Sequence, residues 1–160
     1  MRVSTKARYA VAAMADLAQL TEQKQVKTVV LNDVAERQEL PMAYLEQLFA
    51  KLRKAGLVRS MRGAYGGYTL SRPSEDICIA DIIYAVDAPV KATRCENHSP
   101  NGCMSSGKRC LSHHLWEGLD TLVHQYFSQI SLKEISLESS APFSYIFNTT
   151  PAIETGAHVL

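Results

Sequence analysis

Apolar residues recur at helical spacing from the start of the chain. Tyr9, Met14, Leu17 and a set of alanines share one side of a segment that Ser4 or Thr5 can cap and that runs to about Leu20. Thr21 to Lys27 is polar and predicts a connection. A short second helix follows from Leu31 (LNDVAERQ), with Val34 and Ala35 turned inward. Glu39-Leu40-Pro41 then interrupts the pattern, because proline suits the first turn of a helix and not its interior. The third segment, MAYLEQLFAKLRKAG, is the clearest in the front half. Tyr44 or Leu45, Leu48, Phe49 and Leu52 make its apolar stripe, while Glu46, Gln47, Lys51, Arg53 and Lys54 lie elsewhere on the helix. Gly56 supplies a natural stop.

The period then changes. Leu57 to Met61 is strand-like, Arg62-Gly63-Ala64-Tyr65-Gly66-Gly67 is a glycine-rich turn, and Tyr68-Thr69-Leu70 returns as a strand. Two helices joined by a short turn, followed at once by a hairpin, have the layout of a winged helix-turn-helix. The glycines let the hairpin tip approach another backbone, and Arg62 at its base suits a minor groove. This is no phosphate-binding P-loop, since Gly-Lys-Ser/Thr is missing and a strand follows the turn. Asp76 to Val86 reads as a short strand and then a helix, with Cys78 as a small core residue.

A long helix is expected over about Leu111 to Ile130. Leu111, Leu115, Leu119, Leu122, Tyr126 and Ile130 fall at helical spacing, and Trp116, Val123 and Phe127 widen the stripe. So much apolar surface needs a partner: either its own domain or a second copy across a two-fold axis, the usual arrangement of DNA readers with one small recognition helix. Ser131 caps a last turn, LKEISL, and residues 139–160 show no sustained period, which predicts a poorly ordered tail. The expected fold is mainly α with a small β wing. Residues 1–75 form the winged DNA-binding region, 76–137 carry a ligand-binding loop and the dimerisation helix, and 138–160 are the tail.

Composition is ordinary for a soluble chain of 160 residues, but the net charge of +1 hides an asymmetry. Residues 1–75 hold 12 Lys+Arg against 7 Asp+Glu, and residues 76–160 hold 5 against 9 together with all 5 histidines. A basic front half suits a polyanion such as duplex DNA. The N-terminal MRVSTKAR has no signal-peptide apolar core, and no run is long enough for a membrane span, so a cytoplasmic location and no membrane partner are expected.

The acidic half contains CENHSPNGCMSSGKRCLSH, residues 95–113. Seven residues separate Cys95 from Cys103 and six separate Cys103 from Cys110, nearly all turn and loop formers that build no core. His113 follows Cys110 at i+3, so the pair can project from one face of a first helical turn. Three thiolates and an imidazole suit zinc or an iron–sulfur cluster equally well by type. Either leaves a net charge of about −1, which a helix N-terminus favours by roughly 0.3–1 kcal/mol. A disulfide with a spare thiol, a redox-active thiol set, or unliganded loop cysteines are the other readings.

The opening MRVSTKARYAVAAMADLA, the segment YLEQLFAKLRKAGLVRSMRG, the wing GGY and the RCL-S-H-x-LW pattern together resemble the iron–sulfur cluster assembly regulators of the Rrf family of winged-helix repressors. The likeness covers roughly residues 1–137. It implies a homodimeric transcription factor that binds double-stranded operator DNA, mainly as a repressor of cluster-assembly genes, and is no enzyme. It also implies a 2Fe–2S cluster held by Cys95, Cys103, Cys110 and His113, with His114 outside the ligand set. By the same resemblance, Tyr44, Glu46 and Gln47 face the major groove, Lys51 accompanies them, and Arg62 with Gly63 on the wing reaches the minor groove. The chain departs from the family pattern at Pro41 and Ala43, at the wing residues Ala64 and Tyr65, and in slightly longer inter-cysteine loops. Operator preference and cluster stability are therefore expected to differ. A structural zinc, or a nitric-oxide or iron response, stands as the alternative.

Overall fold

The structure is a computed structural model that describes residues 3–63, 66–91, 103–104 and 106–137. Helix α1 spans Thr5–Ala18, with Ser4 as its cap: the Ala7 N–H donates to Ser4 Oγ at 3.1 Å. Its buried side is made of Ala7, Ala10, Ala13, Met14 and Leu17. The three alanines let neighbouring helices approach closely.

The polar segment expected after Leu20 does not leave the helix. Gln19–Gln23 continues as a π-helical turn, because the Thr21 hydroxyl donates to Leu17 O at 2.8 Å and backbone bonding slips one residue, Lys24 N–H reaching Gln19 O at 3.3 Å. This extra turn carries Glu22 to buried Ser74, whose N–H donates to Glu22 Oε1 at 2.8 Å and whose hydroxyl bonds Oε2.

Helix α2 (Leu31–Gln38) and helix α3 (Met42–Lys54) are joined by Glu39, Leu40 and Pro41. Glu39 adopts the left-handed region (φ 51°), and Leu40 N–H closes back on Ala35 O at 2.9 Å. Pro41, extended, precedes the first helical residue of α3. Leu45, Leu48, Phe49 and Leu52 of α3 are buried. Side chains of this size contribute about 1.5–3 kcal/mol each on burial. Asp16 of α1 is buried too, and Arg37 and Gln38 of α2 meet its charge with bonds of 2.8–3.3 Å.

Strands β1 (Val58–Met61) and β2 (Gly67–Leu70) pair antiparallel in the register Val58↔Leu70 to Met61↔Gly67. Val29 adds a bridge to Tyr68, its N–H donating to Tyr68 O at 2.9 Å and its carbonyl accepting Tyr68 N–H at 2.8 Å. That close approach requires glycine at 67, where a Cβ would stand 2.6 Å from Val29 O. Phe49 meets Tyr68 edge-on at 4.9 Å, which seats α3 on the hairpin. The wing residues Ala64 and Tyr65 lie outside the described residues.

Helix α4 (Ile79–Val86) follows. The short strand expected at Asp76 is instead a single 3₁₀ turn over Ser74–Asp76, and Cys78 forms only an isolated bridge with Ser131. Cys78 is half-buried at the cap of α4 rather than a core residue, and burial raises its thiol pKa. Helix α5 covers His113–Gln129 and α6 covers Leu132–Ser136, capped by the reciprocal Ser131–Glu134 pair. Around the bridge, Ile79 N–H reaches Ile130 O and Leu132 N–H reaches Ile77 O. One hydrophobic cluster runs from α1 through α3 and the hairpin to α4, Ile130 and Leu132. The expected tail, 138–160, lies outside the described residues. Among the described residues no helix is long and apolar enough to cross a membrane.

Candidate functional site

The buried stripe of α3 fixes its other side outward. Ala43, Glu46, Gln47 and Ala50 are all exposed, so the acidic and amide side chains stand where a base edge can be met. Tyr44 is half-buried, and its ring packs edge-on against Tyr9 at 5.8 Å, which holds it beside that face. Arg62 and Gly63 are exposed at the end of β1. Gly66 N–H donates to Gly63 O at 2.9 Å, closing the wing turn, and Gly63 takes φ 112°. Lys51, exposed on the same helix, also reaches a second element. Its Nζ donates to Val86 O at 2.9 Å, so the ammonium sits against the C-terminal end of α4.

At that end Asp87 closes α4, its N–H donating to Ile83 O at 2.9 Å. The Ser4 hydroxyl and the Ala88 N–H donate to its carboxylate and hold its pKa below the usual range, with Lys6 and Lys51 adding positive charge. The chain leaves this point toward the cysteine loop. Cys95 lies outside the described residues, as does all of 92–102.

The second half of the loop is described. Cys103 N–H donates to Lys108 O at 3.0 Å, and Gly107 (φ 77°) closes a turn onto Met104 O. The long helix starts later than its periodicity suggests: Leu111 is fully exposed and lies before α5. Cys110 and His113 are therefore joined by the turn that leads into α5, with His113 N–H on Cys110 O at 3.1 Å. Ser112 is central to it. Its hydroxyl accepts from Trp116 Nε1 at 3.2 Å and lies 3.5 Å from Cys110 Sγ, to which it can donate. That bond, reinforced by Cys103, lowers the Cys110 pKa and favours the thiolate that binds metals.

His113 is only 1% exposed. Cys103 Sγ faces its Nδ1 at 3.1 Å, while its Nε2 is buried without a hydrogen-bond partner, 4.0 Å from Glu117 Oε2. An imidazole taken from water with an unpaired nitrogen costs about 1–3 kcal/mol. With Nδ1 against a thiol, the ring fits a metal centre on that side, and softness of the thiol donors suits zinc or iron. His114, by contrast, has a side chain 83% exposed. Among the described residues the contacts are pairwise, and no three metal-binding side chains are closed into one group. Ser112, Trp116 and Glu117 were not singled out from the sequence for this site. Glu117, four residues after His113 on one helix, carried a readable signal.

Comparison with known proteins identifies the family. The model of the Rrf2 family, described as iron-dependent transcriptional regulators, matches residues 3–138. The HTH-type transcriptional regulator IscR of Photorhabdus laumondii is 46% identical over 135 residues, covering 84% of this chain and 79% of that one. Among solved structures, IscR of T. potens is 35% identical with a TM-score of 0.67, over 91% of this chain and 96% of that one. CymR, the global cysteine regulator of B. subtilis, is 30% identical with a TM-score of 0.70, over 88% and 99%. A helix-turn-helix with an outward-facing third helix, a glycine-hinged wing and a match along most of the chain lead to one conclusion: the chain belongs to the Rrf2 family, as a winged-helix DNA-binding transcriptional regulator and not an enzyme.

Proposed function

We propose that this regulator senses iron–sulfur cluster supply through a 2Fe–2S cluster held by Cys95, Cys103, Cys110 and His113, and that as a cytoplasmic homodimer it mainly represses cluster-assembly genes. The observation that carries this reading is buried His113, with Nδ1 against Cys103 Sγ at 3.1 Å and its backbone N–H bonded to Cys110 O. When bound, the cluster supplies a labile, redox-active centre whose presence reports supply or oxidants, and one nitrogen ligand among thiolates raises its potential.

The chain's own residues do the rest. Ser112 and Trp116 hold the turn that sets Cys110 next to His113. Residues 76–137 form the sensing part and 1–75 the DNA-reading part, with α1 packed on α3, α4 and α6 as their common wall. Tyr44, Glu46 and Gln47 read the major groove, and Arg62 with Gly63 enters the minor groove. Lys51, one turn beyond Gln47 and tied to Val86 O, links the reading helix to the end of α4 from which the cysteine loop departs. Glu46 accepts from a cytosine amino group and repels phosphate, so it rejects poor sites rather than adding affinity. Leu115, Leu119 and Leu122, all exposed on α5, meet their counterparts across the two-fold.

Binding to sites selected from a random DNA library, measured with anaerobically prepared protein before and after chelator treatment, tests the function. Selected sites should share an inverted repeat, and their affinity should change on chelation. Equal affinity in both states contradicts a cluster-sensing role.

A further inference from the structure

The contacts of His113 go one step beyond its place in the proposed ligand set, and rest on that reading. Cys103 Sγ lies 3.1 Å from Nδ1, so the thiol side of the imidazole is its Nδ1 side. The opposite nitrogen, Nε2, is buried and has no hydrogen-bond partner, but Glu117 Oε2 stands 4.0 Å away on the next turn of α5. A neutral imidazole carries its proton on one nitrogen only. A carboxylate on the Nε2 side favours the tautomer with hydrogen on Nε2 and a free lone pair on Nδ1, and the 4.0 Å separation must shorten for that hydrogen bond to form.

We propose that Glu117 is the positioning carboxylate of this metal centre: it holds Nε2–H of His113, so that Nδ1, the nitrogen facing Cys103, is the one presented to the metal. Carboxylates in this position fix ring orientation and strengthen the ligand, and their loss typically costs about 10–100-fold in metal affinity. Glu117 also lies 3.7 Å from His114 Nδ1, but that ring is open to water and gains little from a charged neighbour.

The test uses full-length protein reconstituted anaerobically with iron and sulfide, as wild type, Glu117→Gln, Glu117→Ala and His114→Ala. Pulsed electron paramagnetic resonance of the reduced wild type, labelled with [δ1-¹⁵N]histidine or [ε2-¹⁵N]histidine, should assign the strongly coupled nitrogen to Nδ1. Glu117→Ala should lose its cluster to a chelator about 10-fold faster or more. Glu117→Gln, which keeps an acceptor but no charge, should fall between it and wild type with a raised reduction potential. His114→Ala should match wild type in both readouts. Strong coupling at Nε2, or Glu117→Ala releasing its cluster at the wild-type rate, overturns the assignment of Glu117. A wild type that takes up no cluster overturns the underlying reading and the inference with it.

Discussion

At the scale of single residues, two histidines side by side have opposite surroundings. His113 is buried against Cys103, and His114 points into water. His113→Ala is expected to abolish the visible spectrum of the reconstituted protein, while His114→Ala leaves it nearly intact; equal loss from both would reject the ligand assignment. On the DNA side, Glu46 and Arg62 should separate selection from affinity. Glu46→Ala should widen the range of sites bound with the salt slope almost unchanged. Arg62→Ala should weaken binding on most sites and reduce that slope by about one per protomer. Competition binding on two divergent operators across several salt concentrations reads both effects. The outward position of Glu46 was legible in the sequence, because Leu45, Leu48, Phe49 and Leu52 leave it no other side. Lys51 was not legible. Periodicity places its Cα on α3 but says nothing of a carbonyl on α4, brought near only by tertiary packing.

At the scale of elements, the wing depends on a backbone contact that no side-chain pattern reports. Gly67→Ala drives a methyl to 2.6 Å from Val29 O, so the Val29–Tyr68 bridge must open. The expected loss is about 1–3 kcal/mol of stability by urea denaturation, with weaker operator binding and an unaltered cluster spectrum. Wild-type stability would mean that the hairpin shifts freely. The junction of α1 and α4 adds a pH dependence. The folded Asp87 pKa lies below its ordinary value because Ser4 donates to it, so its contribution is present above the ordinary carboxylate range and is lost as pH falls through the lower, folded value. Asp87→Asn should therefore flatten the acid limb of the stability–pH curve and leave the neutral region's slope unchanged. The element boundaries that the sequence misplaced share a cause. Thr21 bonding back to Leu17 prolonged the first helix, and the Cys110–His113 turn delayed the last long one, both local hydrogen bonds that outweigh apolar spacing.

At the scale of the whole molecule, the Leu115–Leu119–Leu122 face stands exposed along α5. Phe127 and Ile130 of the expected stripe turn to the core, whereas these leucines stay exposed. Spacing alone placed all of them together; which part of the stripe packs inward is decided by α4 and the Cys78–Ser131 bridge. Leu119→Glu should yield monomers by analytical ultracentrifugation and abolish operator binding, since a carboxylate buried at a two-fold faces its own copy. A variant that remains dimeric places the dimer contact elsewhere. The winged helix was readable because periodicity and turn chemistry agreed, and of the expected ligands the structure brings Cys103 against His113. Cys95, the remaining member of the expected set, lies outside the described residues. Absorption spectroscopy of anaerobically purified protein, with iron, sulfide and zinc determined on the same sample, tests the central claim most directly: visible bands with about two iron and two sulfide per chain are predicted, and a colourless protein carrying zinc would contradict it.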